Sequence, residues 1–143
     1  MHITVVILTL NEERHIARAI SSVKGISDRI VVVDSGSTDR TVTIAKHFGA
    51  DVLHHTFINQ SIQFNWALKQ LPADTDWVLR LDADEYLEAE LAQEISFRLP
   101  DLDPEIHGVC IPRRMAFLGK LIRHGGLFPV WVLRVFRYGK GHC

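Results

Sequence analysis

The segment RLDADEYL, residues 80–87, places three carboxylates directly after the apolar residues 77–79. Carboxylates gathered at the end of a buried strand repel one another and resist desolvation. Asp82 and Asp84, at positions i and i+2 of a strand exit, can face one hard cation together. Oxygen ligands suit Mg²⁺ or Mn²⁺, which often binds through one or two carboxylates plus substrate phosphates. Asp82 and Asp84 are therefore the candidate metal ligands.

A second interpretation makes the same acids a solvated loop in which Glu85 and Glu88 merely begin a helix. The apolar strand that delivers both aspartates to one edge of a sheet favours the metal site.

Alternating elements must position these carboxylates. Periodicity predicts buried strands over 3–8, 29–34, 50–55 and 76–81, and helices over 12–25, 38–49, 61–71 and 88–99. This alternation favours an α/β fold with a mainly parallel central sheet flanked by helices. Beyond Pro104 the pattern changes to strands over 107–114 and 130–137, with an irregular loop or short helix over 115–129. We expect one domain over residues 1–143.

Two further polar clusters, TLNEE (9–13) and DSGSTD (34–39), also follow buried strands. The carboxyl ends of parallel strands share one edge of the sheet, where ligands of doubly wound folds bind. Gly36 permits a tight turn, amides at a helix start suit a phosphate, and Asp34 suits the N–H of a base or the hydroxyls of a ribose.

Helix capping is an alternative explanation of both clusters. Asn11 would cap the first helix, and Ser37 or Thr38 the second, with Asp39 in its first turn. The G-x-G-x-x-G and G-x-x-x-x-G-K-[ST] fingerprints are absent, which argues against NAD and against ordinary ATP hydrolysis.

Composition is that of a soluble globular protein, with 47% hydrophobic and 23% charged residues. The start of the chain has neither the basic flank nor the cleavage site of a signal peptide, so a cytoplasmic protein is expected. Cys110 and Cys143 form no disulfide framework and have no zinc-type spacing.

Charge is distributed unevenly along the chain. Residues 1–105 carry a balance of −8, and residues 106–143 carry +7 with no acid, within a net charge of −1. The basic part suggests an anionic partner, such as the inner face of a membrane with a lipid-linked saccharide, or else a core stripe with solvated Lys and Arg. Nucleic acid is disfavoured because the first part is strongly acidic and no recognition motif occurs.

The ordered segments VVILTLNEE, IVVVDSGSTDRTVTIAKHFGA, NWAL and WVLRLDADE resemble the family 2 glycosyltransferases of the GT-A fold, a Rossmann-like fold for nucleotide-diphospho-sugar transferases. The resemblance covers essentially the whole chain. It is strongest to the bacterial branch that extends the lipopolysaccharide core, typified by a β-1,4-glucosyltransferase. It implies a nucleotide-sugar donor, a divalent metal (Mg²⁺ or Mn²⁺) and hexose transfer with inversion to a saccharide acceptor.

The resemblance also assigns residues by position. It makes 1–105 the donor half and 106–143 the start of an acceptor half. Asp82 and Asp84 become the D-x-D pair, with Asp84 the more direct metal ligand. Asn65 and Arg80 fall near the donor phosphates and sugar. The nucleoside, usually carrying uracil, would be held by Thr9, Asn11, Glu12, Asp34, Ser35, Gly36 and Asp39, with Asp34 reading the base.

A general base is harder to assign, because the family uses a carboxylate in the second half and residues 106–143 contain none. His124 and Glu85 are the candidates within the chain, and a base beyond Cys143 in a longer protein is a third possibility. A nucleotide-sugar-binding remnant without turnover is the alternative function. A phosphotransferase of the D-x-D-x-[TV] type is excluded, because position 86 is Tyr and DSGSTD would have no role.

Overall fold

The computed structural model describes residues 1–113, 116–117, 120–121 and 130–139. Four strands alternate with four helices in the first part of the chain, and α4 runs into a short 3₁₀ turn, Leu99–Asp101. In order these elements are β1 Ile3–Thr9, α1 Ile16–Val23, β2 Arg29–Asp34, α2 Thr41–His47, β3 Asp51–His54, α3 Gln60–Lys69, β4 Trp77–Asp82 and α4 Ala89–Arg98. The strands β5 Gly108–Arg113, β6 Ala116–Phe117, β7 Lys120–Leu121 and β8 Val130–Arg137 follow.

Six of these strands form one sheet in the order β3-β2-β1-β4-β8-β5. The first four run parallel, whereas β8 lies antiparallel between β4 and β5. The sequence ITVVILT of β1 is almost entirely buried, as expected for a central strand covered on both faces. The predicted mainly parallel sheet flanked by helices is therefore confirmed.

Helices cover both faces of the sheet. On one face, α1 buries Ile16, Ala19, Ile20 and Val23 against the odd-numbered residues of β1. Fully burying a side chain of the size of Ile20 contributes about 1.5–3 kcal/mol. The other face packs on α3 through Phe64, Ala67 and Leu68. No helix in the described ranges is long and apolar enough to cross a bilayer.

Two predicted helix starts are wrong. α1 begins at Ile16 instead of residue 12, because the Glu12 carbonyl first closes a turn with the amides of His15 and Ile16, at 3.0 and 2.9 Å. α2 begins at Thr41 instead of residue 38, because the backbone amides of the preceding loop donate to side chains of Asp34 and Asn11. In the segment expected as a loop or short helix, the described residues 116–117 and 120–121 instead pair as two short antiparallel strands.

Candidate functional site

Three loops leave the carboxyl ends of neighbouring parallel strands. Thr9 at the end of β1 lies opposite Asp34 at the end of β2, and Leu8 lies opposite Asp82 at the end of β4. The three polar clusters thus begin at one edge of the sheet, as predicted. At the same edge, the Thr9 hydroxyl is buried and has no hydrogen-bond partner among the described residues. A buried polar atom of this kind is expected to meet water or a ligand.

The Asp34 carboxylate closes the loop after β2 by accepting hydrogen bonds from that loop. Its side chain is only 2% exposed, and Oδ2 accepts hydrogen bonds from the amides of Gly36 at 3.0 Å and Ser37 at 2.8 Å. Oδ1 accepts a further bond from the Ser37 hydroxyl. The carboxylate therefore shapes the loop, while Gly36 and Thr38 are exposed beside it. A direct contact between Asp34 and a base stays a prediction.

Asn11 ties the loop after β1 to the loop after β2. Its backbone amide donates to the Ser37 hydroxyl at 2.8 Å, and its side-chain Oδ1 accepts from the Thr38 backbone amide at 2.8 Å. Its φ of +52° lies in the left-handed region, which Asn tolerates better than most residues. The capping interpretation of Asn11 is wrong, because α1 is preceded by His15 and has no side-chain cap.

Asp39 joins the same two loops at the start of α2. Its Oδ1 accepts from the amide of Thr41 at 2.9 Å and from the Thr41 hydroxyl, and its Oδ2 accepts from the Glu13 amide at 3.2 Å. Burial disfavours the charge, but these hydrogen bonds outweigh it and lower the pKa of Asp39 below its usual value. Neither Ser37 nor Thr38 caps α2, since the helix begins only at Thr41.

Glu12, in the loop after β1, also contacts the start of α2. Its amide donates to the Thr41 hydroxyl at 2.9 Å, and its carboxylate contacts Nδ1 of His15 at 2.8 Å. Glu13 accepts from the Arg40 amide at 3.1 Å. The loops after β1 and β2 therefore form one hydrogen-bonded unit.

A buried glutamine, missed in the sequence, connects α3 to Ser35. Gln63 is fully buried, and its Nε2 donates to the Ser35 hydroxyl at 3.0 Å and to the His55 carbonyl at 3.1 Å. Because a carbonyl only accepts, this contact fixes which end of the amide is nitrogen. Oε1 pairs with Nδ1 of His55 at 2.6 Å, and that ring stacks on Trp66 with centroids 4.2 Å apart. A polar residue among the apolar core positions of α3 could have indicated this buried contact in the sequence.

Residues 82–85 form a tight turn. The amide of Glu85 donates to the Asp82 carbonyl at 2.9 Å, and the amide of Asp82 donates to Oε1 of Glu85 at 2.8 Å. Ala83 is buried in the core, whereas Asp84 at the next position is exposed. The turn thus fixes the backbone that carries both aspartates.

Arg134 of β8 holds this turn from one side. Its Nη2 donates to Oε2 of Glu85 at 3.0 Å and lies 3.4 Å from Oδ2 of Asp82. Arg134 was not among the site residues expected from the sequence, although a charged residue inside the apolar strand VWVLRVFR was a usable signal. Both oxygens of Glu85 are thereby engaged, which makes this carboxylate a poor general base.

Arg18 of α1 holds the turn from the other side. Its Nη2 donates to the Asp84 carbonyl at 3.1 Å, and its guanidinium lies over the ring of Tyr86, 4.4 Å from the centroid. Nothing in the sequence distinguishes Arg18 from an ordinary exposed helix residue.

Arg80 precedes the turn on β4. Its guanidinium lies 4.8 Å from the ring centroid of Phe64, and Nη2 contacts Oε1 of Gln60 at 3.5 Å. Asn65 follows Phe64 on α3. Their expected proximity to donor phosphates stays a prediction, as does the role of His124, which lies outside the described residues.

The carboxylates of Asp82 and Asp84 provide hard oxygen ligands with open positions. Asp82 is one-third exposed, and no side chain in the described ranges pairs with the carboxylate of Asp84. Within those ranges no three His, Cys, Asp or Glu side chains come together as a closed metal site. Such a donor set fits Mg²⁺ or Mn²⁺ that takes its other ligands from a diphosphate.

Comparison with known proteins gives related sequences and folds. An uncharacterized glycosyltransferase of Rickettsia typhi is 47% identical over 95 residues, which are 66% of this chain and 32% of that protein. The lipopolysaccharide core biosynthesis glycosyltransferase LpsC of Rhizobium meliloti is 31% identical over 140 residues, which are 94% of this chain and 50% of that protein. The chain thus spans a third to a half of the length of these relatives.

A solved structure shares the fold. Glucosyl-3-phosphoglycerate synthase from Mycobacterium tuberculosis, in complex with Mn²⁺, UDP and glucosyl-3-phosphoglycerate, matches with a TM-score of 0.53 and 27% identity, over 59% of this chain and 35% of that chain. The predicted GT-A fold is confirmed. Residues 4–136 match the sequence profile of Glycosyl transferase family 2. This match covers most of the chain, including the three polar clusters at the sheet edge, and the chain therefore belongs to glycosyl transferase family 2.

Proposed function

We propose that this chain binds the sugar donor in a metal-dependent, inverting glycosyltransferase. The enzyme transfers a hexose from a nucleoside diphosphate, with UDP as the first candidate, to a saccharide of the lipopolysaccharide-core type. The observation that carries the proposal is the register that brings the ends of β1, β2 and β4 to one edge, with Asp82 and Asp84 there. The identity to LpsC and the Mn²⁺ and UDP bound by the mycobacterial synthase support the donor and acceptor classes.

The residues divide into two groups in this proposal. The joined loops after β1 and β2, with Thr9, Asn11, Glu12, Ser35, Gly36 and Asp39, form the nucleoside wall. Asp34 acts through the loop that it closes. Asp82 and Asp84 hold the cation beside the diphosphate, with Arg80 and Asn65 nearby. When bound, a divalent cation neutralises charge on the departing diphosphate.

The class of acceptor is proposed from the relatives and from the positive charge of residues 106–143. A lipid-linked saccharide at the inner face of the inner membrane would suit the balance of +7 in residues 106–143, where peripheral contact with anionic lipid is favoured electrostatically. Glu85 is disfavoured as the base because both of its oxygens are engaged. His124→Asn, assayed for the pH dependence of transfer, tests the other candidate.

Calorimetric titration tests the donor site. UDP, ADP and GDP are titrated with Mn²⁺ and with EDTA into the protein, its Asp84→Asn variant and an Asp74→Asn control. Asp74 is 71% exposed, and its loop precedes β4 at the opposite edge of the sheet. We expect Mn²⁺-dependent binding of UDP that Asp84→Asn abolishes and Asp74→Asn leaves intact. Equal binding by the protein and Asp84→Asn would refute the assignment of the metal site.

Transfer from UDP-hexose to core saccharide then separates the two functions that the sequence left open. Product formation supports the transferase. Tight, metal-dependent UDP binding without product would favour a nucleotide-sugar-binding protein that does not turn over.

A further inference from the structure

We propose that Arg134 is a positioning residue, which fixes the 82–85 turn and thereby directs the Asp84 carboxylate to the cation. The inference rests on the proposed function, since it takes Asp84 to meet a cation held with the diphosphate. It concerns β8, a strand that none of the expected site residues occupies.

Both carboxylate oxygens of Glu85 are held by hydrogen bonds. One oxygen of this carboxylate accepts from the Asp82 amide at 2.8 Å, and the other accepts from Arg134 at 3.0 Å. Glu85 is therefore held between the backbone of its own turn and the neighbouring strand. Charge-assisted hydrogen bonds of this kind are stronger and more directional than neutral ones.

Arg134 also supplies the positive charge beside the acidic 82–85 turn. Three acids within four residues repel one another, and Arg134 supplies a positive charge where its side chain is 12% exposed and that of Glu85 is 16% exposed. Removing one partner of such a poorly solvated pair leaves the other uncompensated. Without Arg134, the turn is expected to open to relieve the repulsion.

Arg134 also distinguishes the two aspartates of the turn. Oδ2 of Asp82 lies 3.4 Å from Arg134, so this carboxylate is partly neutralised. Asp84 has no such neighbour among the described side chains, and Arg18 fixes its backbone carbonyl at 3.1 Å. The geometry thus leaves Asp84 as the more open of the two carboxylates for direct contact with a cation, while Asp82 keeps only part of its capacity.

The register of the sheet explains why Arg134 can reach the turn. Val135 of β8 pairs with Leu79 of β4, so the preceding residue, Arg134, lies toward the carboxyl end of β4. Part of the charge asymmetry along the chain is therefore satisfied internally: a basic residue of the second half neutralises the acidic turn of the first.

Arg134→Met tests the inference against a matched control. Arg137→Met removes an arginine from the same strand that packs on Trp77 at 4.3 Å and donates to the carbonyls of Ile106 and Asp103, at the opposite end of β4. Calorimetry measures UDP affinity with Mn²⁺ and with EDTA, and thermal denaturation verifies folding. Replacing a group that orients a metal ligand typically costs about 10- to 100-fold in metal affinity.

We expect Arg134→Met to weaken Mn²⁺-dependent UDP binding about 10- to 100-fold while binding in EDTA is unchanged. Arg134→Lys should recover part of the loss, and Arg137→Met should show none. If Arg134→Met does not fold, Glu85→Gln and Arg134→Lys carry the test, with a smaller loss in the same direction. Mn²⁺-dependent affinity equal to that of the unsubstituted protein in these variants would overturn the inference alone. Absence of Mn²⁺-dependent binding in the unsubstituted protein would overturn the proposed function and this inference with it.

Discussion

The side chains of Gln63 and Ser35 are joined by a hydrogen bond of 3.0 Å from a fully buried amide to a hydroxyl at the edge of the sheet. The same amide engages both the ring and the carbonyl of His55. The position of Ser35 therefore depends on α3, on the far side of the sheet from α1 and α2. A disturbance in the core of α3 is expected to reach the proposed nucleoside wall.

Gln63→Leu should lower the free energy of unfolding by about 0.5–1.5 kcal/mol for each hydrogen bond lost, because the half-buried partners Ser35 and His55 lose their bonds to the buried amide. It should also weaken UDP binding, since Ser35 loses its anchor. Urea denaturation and calorimetry measure the two effects. Gln93→Leu, at an exposed position of α4, is the control and should change neither. Unchanged stability in Gln63→Leu would contradict the buried network.

Replacement of Asn11 separates backbone strain from hydrogen bonding. Asn11→Gly removes the bond to the Thr38 amide but tolerates the φ of +52°, whereas Asn11→Ala also adds strain. The hydrogen bond is worth about 0.5–1.5 kcal/mol, and the left-handed conformation costs a non-glycine residue about 1–2 kcal/mol. Asn11→Ala should thus be less stable than Asn11→Gly by about 1 kcal/mol in chemical denaturation. The reverse order would show that residue 11 does not adopt this conformation.

Gly36→Ala tests the turn that Asp34 closes. Gly36 has a φ of +105°, and a Cβ added there would meet no atom within 4 Å, so any cost comes from the backbone alone. We expect a loss of about 1–3 kcal/mol in unfolding free energy. Gly25→Ala, where a Cβ also has open space and φ is not positive, should be neutral or slightly stabilising. Similar results for both variants would exclude the strained turn.

The lowered pKa of Asp39 predicts how stability depends on pH. Its carboxyl binds a proton less readily in the folded than in the unfolded protein, so its contribution to stability is complete above the unfolded pKa, near 3.8. The contribution is lost as the pH falls from there through the lowered folded value. Asp39→Asn should remove this part of the acid sensitivity, as measured by denaturation at pH 2–6. An identical pH profile in the variant would refute the prediction.

The sequence predicted what depends on local pattern. β-branched runs such as residues 3–8 and 29–34 marked the central strands, and polar residues directly after them marked the ligand edge, because parallel strands share their direction. The alternative explanation of Asn11, Ser37 and Thr38 as helix caps is wrong. Asn11 and Asp39 bond across to another loop, and a pattern read along one segment contains no information on such partners.

The residues that contact the acidic 82–85 turn could not be predicted from the sequence for a related reason. Arg134 lies 52 residues from Asp82, and their contact depends on the register of two antiparallel strands. Register is set by packing and by turn geometry, neither of which is visible in VWVLRVFR itself. Gln63 and His55 likewise meet only once α3 is packed on the sheet.

The interior place of β8 has a consequence for assembly of the protein. β8 is synthesised well after β4, yet it lies between β4 and β5. Until it pairs, β4 presents an open edge of unpaired amides and carbonyls, which is a template for aggregation. The strand that carries Arg134 would therefore both protect the nascent sheet and complete the acidic turn, so correct insertion of β8 and formation of the proposed metal site would be a single event.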